Sequence, residues 1–180
     1  MIKAETQRLI LREIKPSDEN DLFELDSNPE VHRYLGNEPL TDIEQIRTVI
    51  KNLQQQYLDH GIARWAVIDK LTNECIGWAG LRFHQQLNIH TAIYELGYRL
   101  KQQHWGKGFA TEASQAILQY GFETLNQKTI YAITDPENTN SIHVLMKLGF
   151  QFVEQFDFDE ELTNWYELKS TSNTFDLIDL

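Results

Sequence analysis

Apolar and polar positions change rhythm several times along this chain, and each rhythm implies an element. Over TQRLILREI, residues 6–14, strict alternation puts Leu9 and Leu11 on one face and Ile10 and Arg12 on the other, the period of a strand. Pro16, Ser17 and Asp18 then turn the chain into a short acidic helix over about 18–25. The run NPEVHRYLGNEPL, residues 28–40, carries two prolines and a glycine and reads as loop. Thr41, with Glu44 three residues on, has the spacing of a helix N-terminal box; the helix it opens runs to about His60 and ends at Gly61. Three strand-like runs follow over 64–69, 75–84 and 91–100, with turns at LTNE and near QQLN, the pattern of an antiparallel meander.

The rhythm switches back to a helical period over ATEASQAILQYGFETL, where Ala113, Ala116, Ile117, Tyr120 and Leu125 form one apolar stripe. A strand at 129–134 and a helix over 138–148, with Lys147 in its last turn and Gly149 as its stop, come next. Two strands near 150–158 and 164–169 close the series. The order β-α-α-β-β-β-α-β-α-β-β predicts an α/β (α+β) fold with about four helices. Its mixed, mostly antiparallel sheet has six to seven strands, and the unit from 91 to 134 supplies one parallel crossover. Residues 1–170 are expected to form one domain and 171–180, TSNTFDLIDL, a C-terminal tail.

Composition narrows the class. With 41% apolar and 24% charged residues the chain can bury a core, which excludes intrinsic disorder. No apolar run reaches the ~18 residues that would span a bilayer, and MIKAETQRLILREI lacks the layout of a secretion signal, so a cytoplasmic protein with no membrane partner is expected. Cys75, the single cysteine, allows no internal disulfide. A net charge of −11 argues against nucleic acid as partner and suits a cationic one, so any anionic ligand has to be held by local features.

Such a feature lies in RLKQQHWGKGFATEA, residues 99–113, where Gly106 and Gly108 stand between a strand and a helix. Amides at a helix start have no intrahelical partner and the helix dipole adds positive charge there, so the junction has the chemistry of a pyrophosphate cradle with Lys107 beside it. A Walker loop needs four residues between its glycines, and a dinucleotide fingerprint needs a third glycine at 111, where Thr111 stands. Both fail. The spacing Gln103, Gly106, Gly108 fits a third signature, Gln/Arg-x-x-Gly-x-Gly/Ala.

Further motifs occur in fixed order: Glu95-Leu96-Gly97-Tyr98, then Trp105 to Ala113 as WGKGFATEA, then Asn138 and Ser141, then Leu145, Lys147, Gly149 and Phe150. In these, over roughly residues 5–169, the chain resembles the GNAT superfamily of N-acetyltransferases, in the branch typified by the ribosomal-protein N-terminal acetyltransferases RimJ and RimL. The resemblance implies the GNAT fold with a central splayed parallel strand pair and acetyl-CoA as co-substrate. Pantetheine is then expected along Tyr98 to Leu100, and pyrophosphate on the amides of Gln103, His104, Trp105, Gly106, Lys107, Gly108, Phe109, Ala110 and Thr111. Trp105 and Phe109 are expected as packing supports, Asn138 as a contact for the pantetheine arm, and a homodimer as the default assembly.

Acetyl transfer to an amine needs a base, because an ammonium has no lone pair with which to attack. Glu95 shares a strand face with Ile93, Gly97 and Arg99 and is the candidate; a carboxylate merely paired with Arg99 is the bland alternative. The family's proton-donating tyrosine falls at Leu145 here, so Ser141, or a water it holds, is the expected replacement. Cys75 has no histidine beside it for a covalent route. The six histidines lack metal-ligand spacing, and no metal is expected. The acceptor implied is a primary amine, foremost a protein or peptide N-terminus; a small cationic amine such as a polyamine or aminoglycoside, or a non-catalytic acyl-CoA-binding module, are the alternatives.

Overall fold

Among the described residues eight strands, numbered along the chain, form one sheet in the order β1-β2-β3-β4-β5-β6-β8-β7. The computed structural model describes residues 1–158 and 160–170, so the tail expected at 171–180 lies outside the described residues. The strands are β1 (Ile2–Glu5), β2 (Leu9–Glu13), β3 (Arg64–Asp69), β4 (Cys75–Leu87), β5 (His90–Leu100), β6 (Thr129–Thr134), β7 (Gln151–Phe158) and β8 (Glu161–Lys169). All neighbours are antiparallel except β5 and β6.

The sheet exceeds the six to seven strands expected, because residues 2–13 make a hairpin. Thr6 N–H donates to Leu9 O at 3.0 Å, so the first part of the alternating run is a turn. The middle hairpin is longer than its pattern suggested as well: β4 and β5 pair out to Leu87↔His90, and the turn is the dipeptide Asn88-Ile89, with Asn88 at φ 52°.

Among the described residues five α-helices flank the sheet: α1 (Glu19–Asp26), α2 (Pro29–His32), α3 (Ile43–His60), α4 (Phe109–Gln119) and α5 (Thr139–Lys147). The segment read as loop at 28–40 contains α2, one turn capped by Asn28, whose side chain accepts from Glu30 N–H at 2.9 Å. The box opening α3 sits one residue later than Thr41 and Glu44: Asp42 accepts from Glu44 N–H, and Gln45 reaches back to the Asp42 amide. Aspartate caps at least as well as threonine, and either spacing satisfies the box rule. Gly61 ends α3 at φ 72°, as expected.

The layers have separate cores. On one face Leu9, Leu11, Val67, Leu81 and Leu96 pack against Ala113 and Ile117 of α4 and Leu145 of α5. On the other, Ala66, Ile68 and Trp78 pack against Leu22 and Leu25 of α1, Val31 of α2 and Ile46 and Ile50 of α3. A smaller cluster of Leu87, Ile93 and Trp165 extends outward along the sheet. Among the described residues, no helix is long and apolar enough to cross a membrane.

Candidate active site

The parallel pairing is also the least complete. β5 and β6 meet only at Glu95↔Tyr131, while β5 stays paired with β4 as far as Gly77↔Leu100. Beyond Glu95 the sheet is therefore split. Lys101 N–H donates to Ile76 O on the β4 side at 2.9 Å, so by strand alternation Tyr98 and Leu100 direct their peptide groups into the split. The Leu100 carbonyl already accepts from the Trp105 indole at 2.7 Å, which leaves Leu100 its amide. Trp105, 40% exposed, thus ties the loop to the strand end through its indole. Phe109 is buried and does pack, under the Arg8 guanidinium at 4.4 Å.

The split leads into the glycine junction. His104 N–H donates to Lys101 O and Trp105 N–H to Gln102 O, so these two amides of the predicted cradle are already engaged. Gly106 at φ 70° and Gly108 at φ 80°, the N-cap of α4, turn the remaining backbone outward. Among the described residues the amides of Gly106, Lys107 and Gly108 meet no acceptor. Those of Phe109, Ala110 and Thr111 belong to the first helical turn, before Glu112 N–H reaches Gly108 O at 3.0 Å. A Cβ on Gly106 would meet nothing within 4 Å, so the space before the loop is open. These groups suit a pyrophosphate.

The loop is braced by Glu112 of the WGKGFATEA motif together with Thr6 and Arg8 from the turn between β1 and β2. Glu112 accepts from the Thr6 hydroxyl at 2.5 Å, the Arg8 amide at 2.9 Å and the Arg8 guanidinium at 2.6 Å; the same guanidinium donates to Lys107 O at 2.9 Å. Burial alone would raise the Glu112 pKa, but the bonds from Thr6 and Arg8 outweigh it and hold it below the ordinary value.

On the α4/α5 side of the split, Asn138 caps α5 by accepting from Ser141 N–H at 3.1 Å, and its amide nitrogen remains for another partner. The Ser141 hydroxyl lies 3.0 Å from the Tyr98 hydroxyl, whose pKa burial pushes up to about 12 against the opposing pull of Ser141. Leu145 is 1% exposed and wholly committed to the core.

On the opposite face Glu95 is 6% exposed, and its Oε2 lies 2.7 Å from His84 Nε2. The pairing with Arg99 considered from the sequence does not form: Arg99 donates to Asp26 at 2.5 Å, beside the buried His32. Burial and then the Arg99 charge hold the His32 pKa below its ordinary value. Two cations lie against the Trp78 ring, Arg64 at 4.1 Å and Arg99 at 5.1 Å. Sequence reasoning missed both His84 and Arg64.

Where the strand ends, a cavity of about 300 Å³ opens between α1, α2 and the loop, lined by Glu24, Leu25, Asn28, Val31, Lys101, Gln102 and Gln103. Asp21, Glu24 and Glu74 have metal-ligand spacing here, yet all three bond Lys101 Nζ at 2.7–2.9 Å. Burial opposes the Lys101 charge, and the three carboxylates together overcome it and raise its pKa. Cys75 is buried, and burial pushes its thiol up to about 12, far from a nucleophile's range.

Comparison with known proteins places this geometry. Residues 8–151 match the family described as "Acetyltransferase (GNAT) domain". The chain is similar to the uncharacterized N-acetyltransferase p20 of Bacillus licheniformis, 41% identical over 146 residues, 81% of this chain and 80% of that one. It is also similar to spermidine N(1)-acetyltransferase of Escherichia coli (strain K12), 31% identical over 141 residues, 78% and 71% of the two chains. Among solved structures, the GNAT-family acetyltransferase of Bacillus anthracis superposes with a TM-score of 0.75 at 29% identity, covering 93% of this chain and 97% of that one.

Proposed function

Because the chain belongs to the GNAT acetyltransferase family and is an N-acetyltransferase of the kind that uses acetyl-CoA, we propose that it acetylates a primary amine by direct attack, with Glu95 as the base. The single observation that carries this reading is the buried Glu95 carboxylate beside the parallel β5–β6 pairing, held by His84 at 2.7 Å where the sheet opens. Acetyl-CoA supplies an activated acyl group and a thiolate leaving group. The chain's own residues do the rest. Asn138 and the peptide groups of Tyr98 and Leu100 orient the pantetheine arm, and the amides of Gly106 to Thr111 hold the pyrophosphate, with the side chains of Gln103 and Lys107 beside it.

Glu95 takes the proton of the acceptor ammonium, directly or through a water, from the α1–α3 side. An amide directed into the split, that of Tyr98 or Leu100, stabilises the developing oxyanion. As the tetrahedral adduct collapses, the nitrogen sheds its second proton. The Ser141 hydroxyl, backed by Tyr98, relays it to sulfur from the α4/α5 side and ends protonated, while Glu95 releases its own proton to water. Base and acid thus face each other across the sheet.

For the acceptor we favour the α-amine of a peptide or protein N-terminus, as in the RimJ/RimL branch. The Glu95 face carries Arg64 and Arg82, which have no carboxylate partner among the described residues and repel a polyamine, whereas Arg99 is offset by Asp26. The second reading, a polyamine, is favoured by the similarity to a spermidine acetyltransferase. Substituting Glu95→Gln tests the mechanism. Turnover, read by thiol release, falls about 10²–10³-fold while stabilisation by acetyl-CoA persists; unchanged turnover would remove Glu95 from the reaction.

A further inference from the structure

With 27 acidic residues against 16 lysines and arginines, this chain has carboxylates to spare, and its arginines find them. Arg8, Arg12, Arg33, Arg47 and Arg99 each have a carboxylate partner. Arg64 and Arg82 have none among the described residues, and both stand on the face that carries Glu95. Arg82 lies opposite Glu95 across the β4/β5 ladder, exposed at the rim. Arg64 lies deeper. Its guanidinium stacks on Trp78 at 4.1 Å, and its Nε is buried with no hydrogen-bond partner.

The guanidinium lies against Gly97, where a Cβ would stand at ordinary contact distance, 3.6 Å from Nη2 and 3.7 Å from Nε. Arg64 therefore lies against β5 two residues from Glu95 on the same face, about 7 Å along the strand. Burial pulls its pKa down to about 10, so it remains a cation at neutral pH, with Glu95 the foremost charge sustaining it. A buried guanidinium edge with no acceptor is costly unless something arrives to fill it. The partner it suits is planar and anionic, because the guanidinium fork matches a carboxylate.

We propose that Arg64, with Arg82 at the rim, receives a carboxylate belonging to the acceptor, so that the amine acetylated here lies a few bonds from an acid group. An α-amino acid has this chemistry, as does a peptide beginning with aspartate or glutamate. The inference rests on reading the Glu95 face as the acceptor side, and it makes Arg64 a residue that selects the substrate.

The test compares matched acceptors with the whole enzyme and acetyl-CoA, read by thiol release. One arm sets free amino acids against their primary amides, and another sets peptides beginning with Asp or Glu against those beginning with Asn or Gln; spermidine is the third. The acid member of a pair exceeds its neutral partner about 10–100-fold in kcat/KM, chiefly through KM, and the arm in which this occurs identifies the source of the carboxylate. In Arg64→Met that preference shrinks about tenfold, while Arg64→Lys keeps part of it. Equal turnover of acid and amide, preference for spermidine, or no turnover of any acid-bearing amine overturns the proposal. The comparison of acids with amides in the unmodified enzyme stands even if a variant fails to fold. Retained turnover in Glu95→Gln would instead overturn the reading of the face itself.

Discussion

At the scale of single residues, the site joins groups that lie far apart in the chain. Glu95 and Asn138 were legible because each stands inside a motif, and a strand period or a cap rule gives each a direction. His84 was not legible, since its contact with Glu95 exists only across a hairpin whose register sets which side chains face each other. A histidine that holds a carboxylate fixes its rotamer, so His84→Asn is expected to lower kcat about tenfold with the KM for acetyl-CoA unchanged. An unchanged kcat would leave His84 a packing residue. Tyr98 and Ser141 form the second pair, 3.0 Å apart. If they act as one proton donor, Tyr98→Phe and Ser141→Ala each slow turnover about tenfold and the double variant is no slower than the worse single; multiplicative losses would assign them separate roles.

At the scale of elements, the glycine junction depends on the hairpin that precedes it in the sheet. Thr6 and Arg8, from the turn between β1 and β2, bind Glu112 in the first turn of α4 and so anchor a loop that the two glycines leave conformationally free. Glu112→Gln keeps the shape and removes the charge, and is expected to cost about 1–2 kcal/mol in urea unfolding at neutral pH. The sign with pH follows from the depressed folded pKa. The stabilisation is complete above the unfolded glutamate value of about 4.3 and is lost as pH falls through the lower folded value. The gap between the native chain and Glu112→Gln should therefore close on acidification below pH ~4.3. A constant gap would locate the effect in packing.

At the scale of the whole molecule, the eight-stranded sheet is continuous except at one place, and a ligand entering that place would tie β5, β6, α4 and α5 together. Acetyl-CoA at 100 times its dissociation constant is accordingly expected to add about 2.7 kcal/mol to stability, visible as a rise in Tm that ATP and NAD do not reproduce. An equal rise with ATP would show that the loop binds phosphates without reading the rest of the co-substrate. The sequence by itself determined the element order apart from β1 and α2, the strand-to-helix glycine junction and the candidate base, because hydrophobic period, capping and positive-φ glycines act over a few residues. Only the tertiary structure decided that the split opens just past Glu95, that the Leu100 carbonyl is closed by Trp105, and that Arg64 lies unpaired beside Gly97. Those are contacts between strands and loops distant in the chain, set by the register of the whole sheet, and no local pattern encodes them.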